Sequence, residues 1–244
     1  MPDYHLPLLP GEKYHVLSRA VGNEKLFRNG NNYAFFLARY IKHISPVADT
    51  YCYCLLPNHF HCMIKIREEA QLENHFHEVK QSKHFSAELL PEFIMERFSN
   101  LLNSYAKAYN KMYNRKGALF IDYLRRKEIE SDEQFHATVR YIHRNPVHHG
   151  YCTDLSKWNW SSYHAMRSTE PTWLLRPELL EEFGGLNEFE TFMGSPAKIY
   201  KICRAAPRAA NLIGLPRCLS GNCKPYRSGA ALKIAAIAAL RYIF

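Results

Sequence analysis

Alternation and helical spacing divide the first two thirds of the chain into a short series of elements. Residues 13–19 read as a strand, and 31–44 as a helix with Phe35, Leu37, Ala38 and Ile41 on its apolar side. Thr50–Leu56 and His59–Ile66 form two further strands, joined by Pro57-Asn58 as a hairpin with almost no loop. A polar stretch from 67 to 88 follows. Pro91 then opens a long helix to about Asn114, with Ile94, Phe98, Leu101, Tyr105, Ala108 and Met112 at helical spacing. Asn114 to Gly117 breaks that helix, and 118–129 reads as another strand. Ser131 has the chemistry of an N-cap, and Asp132 and Glu133 suit the first turn of a helix that Pro146 is expected to stop. The order predicts an α+β domain, a small antiparallel sheet with helices packed on it.

The hairpin's second strand carries the first chemical signal. Successive strand side chains face opposite sides, so His59, His61, Met63 and Lys65 share one face, while Phe60, Cys62, Ile64 and Ile66 make the core face. A strand-borne His-x-His pair can supply two imidazoles to one divalent ion, and it can equally be the wet side of a half-buried strand. The last helix carries the second signal. Phe135, Val139 and Ile142 form its core stripe; beside it Gln134, Thr138, Tyr141 and Asn145 form a polar one, with Tyr141 and Asn145 one turn apart. A helix laid across the histidine face would let His59, His61 and the Asn145 amide oxygen hold one ion, with Tyr141 aimed at the same point as nucleophile. Tyr113, at a helix end among basic residues, is the second candidate nucleophile.

Composition is that of an ordinary globular chain, with 47% hydrophobic and 23% charged residues in 244. Net charge is +9, and its placement is uneven: residues 1–190 hold 23 Lys and Arg against 23 Asp and Glu, and 191–244 hold 9 Lys and Arg with no acid. The expected organisation is therefore one domain over 1–190 and a basic tail over 191–244. Within the domain, Lys107, Lys111 and Arg115 repeat every four residues, and Arg125-Arg126-Lys127 cluster at the end of the predicted strand. These six are the candidate contacts to a sugar-phosphate backbone. The seven cysteines show no Cys-x-x-Cys spacing. Cys52 and Cys54 alternate with Tyr51 and Tyr53 and are expected to pack on the Phe60 face. No basic region followed by an apolar run opens the chain, and the run 234–240 is short and flanked by Lys233 and Arg241. A cytoplasmic protein without a membrane segment is the expectation.

Leu56-Pro57-Asn58-His59-Phe60-His61 resembles the His-hydrophobic-His motif of the single-tyrosine HUH transposases. Arg140-Tyr141-Ile142-His143-Arg144-Asn145-Pro146-Val147, followed by Gly150 and by Trp160-Ser161-Ser162-Tyr163, resembles the branch called REP-associated tyrosine transposases. The likeness covers roughly 14–166 and includes Tyr14-His15-Val16 with Arg19, and the segment from Gly117 to Phe120. It implies a ferredoxin-like sheet (the HUH nuclease fold), Tyr141 as nucleophile, a Mg or Mn ion on His59 and His61, and Asn145 as an amide-bearing third ligand. It also implies single-stranded DNA with hairpin structure as partner, and it allows a homodimer. The tail beyond about Met193 and the length of 67–91, with its second His-x-His at His75 and His77, depart from the pattern. Other readings compete with the strand transferase: a domesticated nickase, a non-catalytic DNA-binding module, and a zinc protein built on His59, His61, Cys52 and Cys54.

Overall fold

In the computed structural model the described residues are 6–81, 84–121 and 124–195; the basic tail from 196 onward lies outside them. Strand β1 (Lys13–Arg19) leads into helix α1 (Gly30–Ile44), whose N-cap Asn29 accepts a hydrogen bond from the Asn32 amide. Strands β2 (Ala48–Leu56) and β3 (His59–Ile66) form the hairpin, followed by helices α2 (Glu69–Lys80) and α3 (Leu90–Met112), strand β4 (Arg125–Glu128) and helix α4 (Asp132–His148). Three short helices follow: α5 (Tyr163–Met166), α6 (Arg176–Glu182) and α7 (Leu186–Gly194). The helix α7 runs across the boundary expected between 190 and 191.

The sheet is antiparallel throughout, in the order β2-β3-β1-β4, so β3 and β1 are its central strands. Its two faces are buried by different helices. Tyr14, Val16, Phe60, Cys62, Ile64 and Ile66 pack beneath α1 and α3, with Phe36, Phe98, Leu101 and Tyr105. On the other side Met63, Cys52 and Cys54 meet Phe135, Val139 and Ile142 of α4. The alternation read from 59–66 is thus realised as a sheet covered on both sides, with α4 on the histidine face.

Three expectations need correction, and one stretch to which the sequence assigned no element is filled. Cys52 and Cys54 lie on the histidine face, not the Phe60 face: a register irregularity between Thr50 and Cys52 inverts the alternation, and Leu55 takes the place opposite Phe60. The polar stretch 67–88 contains α2, held by Leu72 and Phe76, which bury one turn apart. Its His75 and His77 pair with Glu78 and Glu73 respectively and share no site. The strand expected over 118–129 is reduced to β4, preceded by a single bridge from Phe120 to Ala20, because Leu119, Phe120 and Leu124 go into the core beneath α3. Pro146 does not stop α4, which continues to His148. The stop is set by Gly150 at φ +72: Gly150 N–H donates to Val147 O at 3.0 Å and Tyr151 N–H to Pro146 O at 2.9 Å, the paired bonds of a Schellman cap. After the cap the chain returns along the open edge of β2, where Leu55 N–H donates to Trp160 O and Ser162 N–H to Tyr53 O. Such cover removes an unpaired strand edge. Among the described residues no helix is long and apolar enough to cross a membrane.

Candidate active site

The antiparallel register lays out the α4 face of the sheet in rows. Leu56, His59 and Arg19 form one row; Cys54, His61, Leu17 and Arg125 the next; Cys52, Met63, His15 and Lys127 the third. His15 and His61 are diagonal neighbours across β1 and β3, and their side chains join: His15 Nε2 lies 2.9 Å from His61 Nδ1, with the rings stacked at 5.1 Å. His59, edge-on to His61 at 5.0 Å, uses its own Nδ1 on Asn58 Oδ1 at 2.7 Å.

Helix α4 completes the site from above. Ser131 caps it by accepting from the Gln134 amide at 3.3 Å, and the core stripe presses onto Met63. That seats the polar stripe over the histidines. The Tyr141 ring stands edge-on to His61 at 5.3 Å and to His15 at 5.8 Å. One turn on, the Asn145 amide acts on His59 at close range. It is off hydrogen-bond alignment, however: Asn145 is 1% exposed, and neither its Oδ1 nor its Nδ2 has a hydrogen-bond partner among the described residues. A further turn on, His149 meets His59 ring to ring at 5.2 Å.

Burial keeps these imidazoles neutral. It pushes His15 down to about 4, with the Lys127 ammonium adding to the effect. His59 also falls to about 4, through burial and then His149, against an opposing contribution from Asn145. Burial again, and then His15, His59 and His149, hold His61 well below the ordinary histidine range. A neutral imidazole offers a lone pair at physiological pH.

The donor set fits a divalent ion. Occupying Nδ1 of both His59 and His61 leaves the two Nε2 atoms as donors, the usual arrangement in which an outer partner fixes a ligand's tautomer. The orphaned Asn145 amide supplies the buried polar atom that a third protein donor would be. Among the described residues no three His, Cys, Asp or Glu side chains are grouped to hold a metal, so the Asn145 amide is the third protein donor that an ion at His59 and His61 would find. A zinc centre on His59, His61, Cys52 and Cys54 is not formed.

The structure gathers the candidates selectively. His59, His61, Tyr141 and Asn145 converge, and Arg125 and Lys127 lie on the same sheet face, on edge strand β4. Lys107 and Lys111 are exposed on α3, beyond the opposite face of the sheet. Arg115 lies past the end of α3 and is committed to Glu24 at 3.1 Å, Asn110 at 3.0 Å and the carbonyl of Ala118 at 2.7 Å. Arg126 is buried and donates to Leu6 O and to the Met95 sulfur. Tyr113 is bonded to Asn32 and Asn29 next to α1, away from the histidines. Arg140 and Arg144, either side of Tyr141, grip the C-terminal end of α7 through the carbonyls of Phe192 and Met193. Sequence reasoning gave His15, Arg19 and His149 no role in the site. The alternation of Tyr14-His15-Val16 was the available signal for His15, and only the register of β1 on β3 gives it meaning.

No family model matches this chain, and no curated protein does. Among solved structures, it is similar to a REP-associated tyrosine transposase bound to a REP hairpin, at 18% identity and a TM-score of 0.51, over 70% of this chain and 89% of that one. At that identity the likeness is one of fold: a four-stranded antiparallel sheet with helices packed on it.

Proposed function

We propose that this chain is a metal-dependent DNA strand transferase that cleaves and rejoins single-stranded DNA through Tyr141. The observation that carries the reading is the convergence, on one sheet face, of a phenol, two neutral imidazoles whose Nδ1 atoms are engaged so that Nε2 is the remaining ring donor, and a buried amide beside His59 that makes no aligned hydrogen bond among the described residues. The antiparallel order β2-β3-β1-β4 suits a ferredoxin-like reading of the sheet, and the similar solved structure is of a tyrosine transposase bound to a REP hairpin; both favour single-stranded or hairpin DNA as the substrate class.

In the proposed reaction the Tyr141 Oη–P bond forms as the P–O3′ bond breaks, leaving a 5′-phosphotyrosine and a free 3′ hydroxyl. The proton lost by the phenol is matched by the one the 3′ oxygen takes up. Attack by a DNA 3′ hydroxyl on the phosphotyrosine reverses these bonds and rejoins the strand. His59, His61 and Asn145 would hold a Mg or Mn ion, which when bound offsets charge developing on the phosphoryl oxygens. A phenol of ordinary pKa, about 10, needs such a site to lose its proton at neutral pH. Arg19 and Lys127, flanking the histidines in the sheet rows, suit the phosphates on either side.

The test uses a labelled single-stranded hairpin with Mn, resolved on a denaturing gel. His59→Ala is expected to abolish cleavage and leave hairpin binding intact. A loss of binding instead would make His59 a structural residue and remove it from the chemistry.

A further inference from the structure

Beyond the histidines the ring contacts continue in a row that the proposed chemistry does not use. From His59 they pass to His149 at 5.2 Å, to Tyr151 at 6.3 Å and to Trp158 at 5.5 Å. Trp158 in turn meets Tyr33, which stacks flat on Trp160 at 4.5 Å and 8°. The inner end is structural: Tyr33 is buried, and the Trp158 indole N–H donates to Leu55 O at 3.0 Å, fastening the covering segment to β2. The outer end is open. His149 is exposed, and Tyr151 is 44% exposed, among the most exposed large hydrophobic side chains described.

An exposed tyrosine is ordinary on any surface. This one is held in place from two sides. The Schellman cap at Gly150 fixes its backbone, and its ring leans on Trp158 at 35°. A ring already fixed loses little freedom when a flat partner lies on it. The row begins at His59, and Arg19 is exposed in the His59 row of the sheet, while Lys157, exposed and next to Trp158 in the chain, donates to Thr153 Oγ1 at 3.1 Å. Flat rings with cations alongside suit a planar, anionic chain, and bases stack on aromatic side chains whatever their sequence.

We propose that His149 and Tyr151, with Trp158 as the fixed ring behind Tyr151, form a stacking shelf for unpaired bases of single-stranded DNA next to the phosphate held at His59. The assignment rests on the DNA reading of the site, and adds to it where the flanking single strand lies.

The test measures binding of the full chain, in chelator so that no cleavage occurs, to two fluorescent DNA hairpins: one blunt, the other with a single-stranded oligothymidylate extension. Tyr151→Ala is expected to weaken binding of the extended hairpin by about 5- to 150-fold, the range for loss of one stacked base. Binding of the blunt hairpin stays unchanged, and Tyr151→Phe and Tyr151→Trp retain the affinity of the unaltered chain. An abasic residue in the extension should cost the unaltered chain a similar factor and Tyr151→Ala little more. Equal loss on both hairpins, no loss on the extended one, or a comparable loss in Tyr151→Phe would overturn the shelf. If the unaltered chain binds neither hairpin, the DNA reading itself fails, which is a separate result.

Discussion

His15 and His61 share a hydrogen bond of 2.9 Å between Nε2 of the one and Nδ1 of the other, inside a sheet face where both are almost fully buried. The direction of that bond follows from chemistry. For His61 to present a lone pair at Nε2, its proton must sit on Nδ1 and be donated to His15, whose own proton then lies on its Nδ1. In the proposed site His15 is thus a positioning residue, acting through His61. His15→Ala leaves that donor unpaired and should weaken Mn binding by about 10- to 100-fold, the usual effect of losing an outer partner of a metal ligand. His15→Gln, which keeps an acceptor, should restore much of it. Calorimetric titration of the full chain with Mn checks this, and unchanged affinity in His15→Ala would remove the role.

The six basic candidates divide by their engagements. Arg115 and Arg126 are tied into the fold, so Arg115→Ala and Arg126→Ala should lower the melting temperature and leave the salt dependence of DNA binding alone. Arg125 and Lys127 stand on the face of the histidines. Replacing either by Ala should reduce the slope of log K against log salt by about one, as loss of a single phosphate contact does. Lys107 and Lys111, beyond the opposite face, should leave that slope unchanged. Binding isotherms across a salt series separate the two groups.

Stability should fall in mild acid. His143 is 1% exposed, bonded to Ser162 Oγ at 2.8 Å, and burial drives it down to about 3. A histidine with a folded pKa below its unfolded one contributes stability in full above the unfolded value, near 6.5, and loses it as pH drops toward the folded value. Each such group should remove about 1 kcal/mol per pH unit in that window. Urea midpoints should therefore decline steadily from about pH 6.5 downward. A midpoint unchanged between about pH 6.5 and about pH 4.5 would contradict neutral burial of His143.

Elements set by local pattern were legible from residues alone. The bounds of β1 and β3, the Ser131 cap and the two stripes of α4 follow from alternation, capping chemistry and helical spacing, and these place His59, His61, Tyr141 and Asn145. What was not legible depended on partners distant in the chain. His15 acquires its place only through the β1–β3 register, and Cys52 and Cys54 change face because of one irregularity in β2. Arg126 reads as a surface cation until Leu6 and Met95 close over it. Pro146 misleads because a local breaker was outvoted by the cap at Gly150, whose paired hydrogen bonds hold the final turn of α4.

In the proposed reaction Tyr141 forms the covalent bond to DNA. The direct measurement is peptide mapping by mass spectrometry of the adduct trapped when the full chain meets a single-stranded hairpin and Mn. A phosphodeoxynucleotide is expected on the peptide containing Tyr141, and no adduct or cleavage with Tyr141→Phe. An adduct on Tyr113 or any other residue, or undiminished cleavage by Tyr141→Phe, would contradict it.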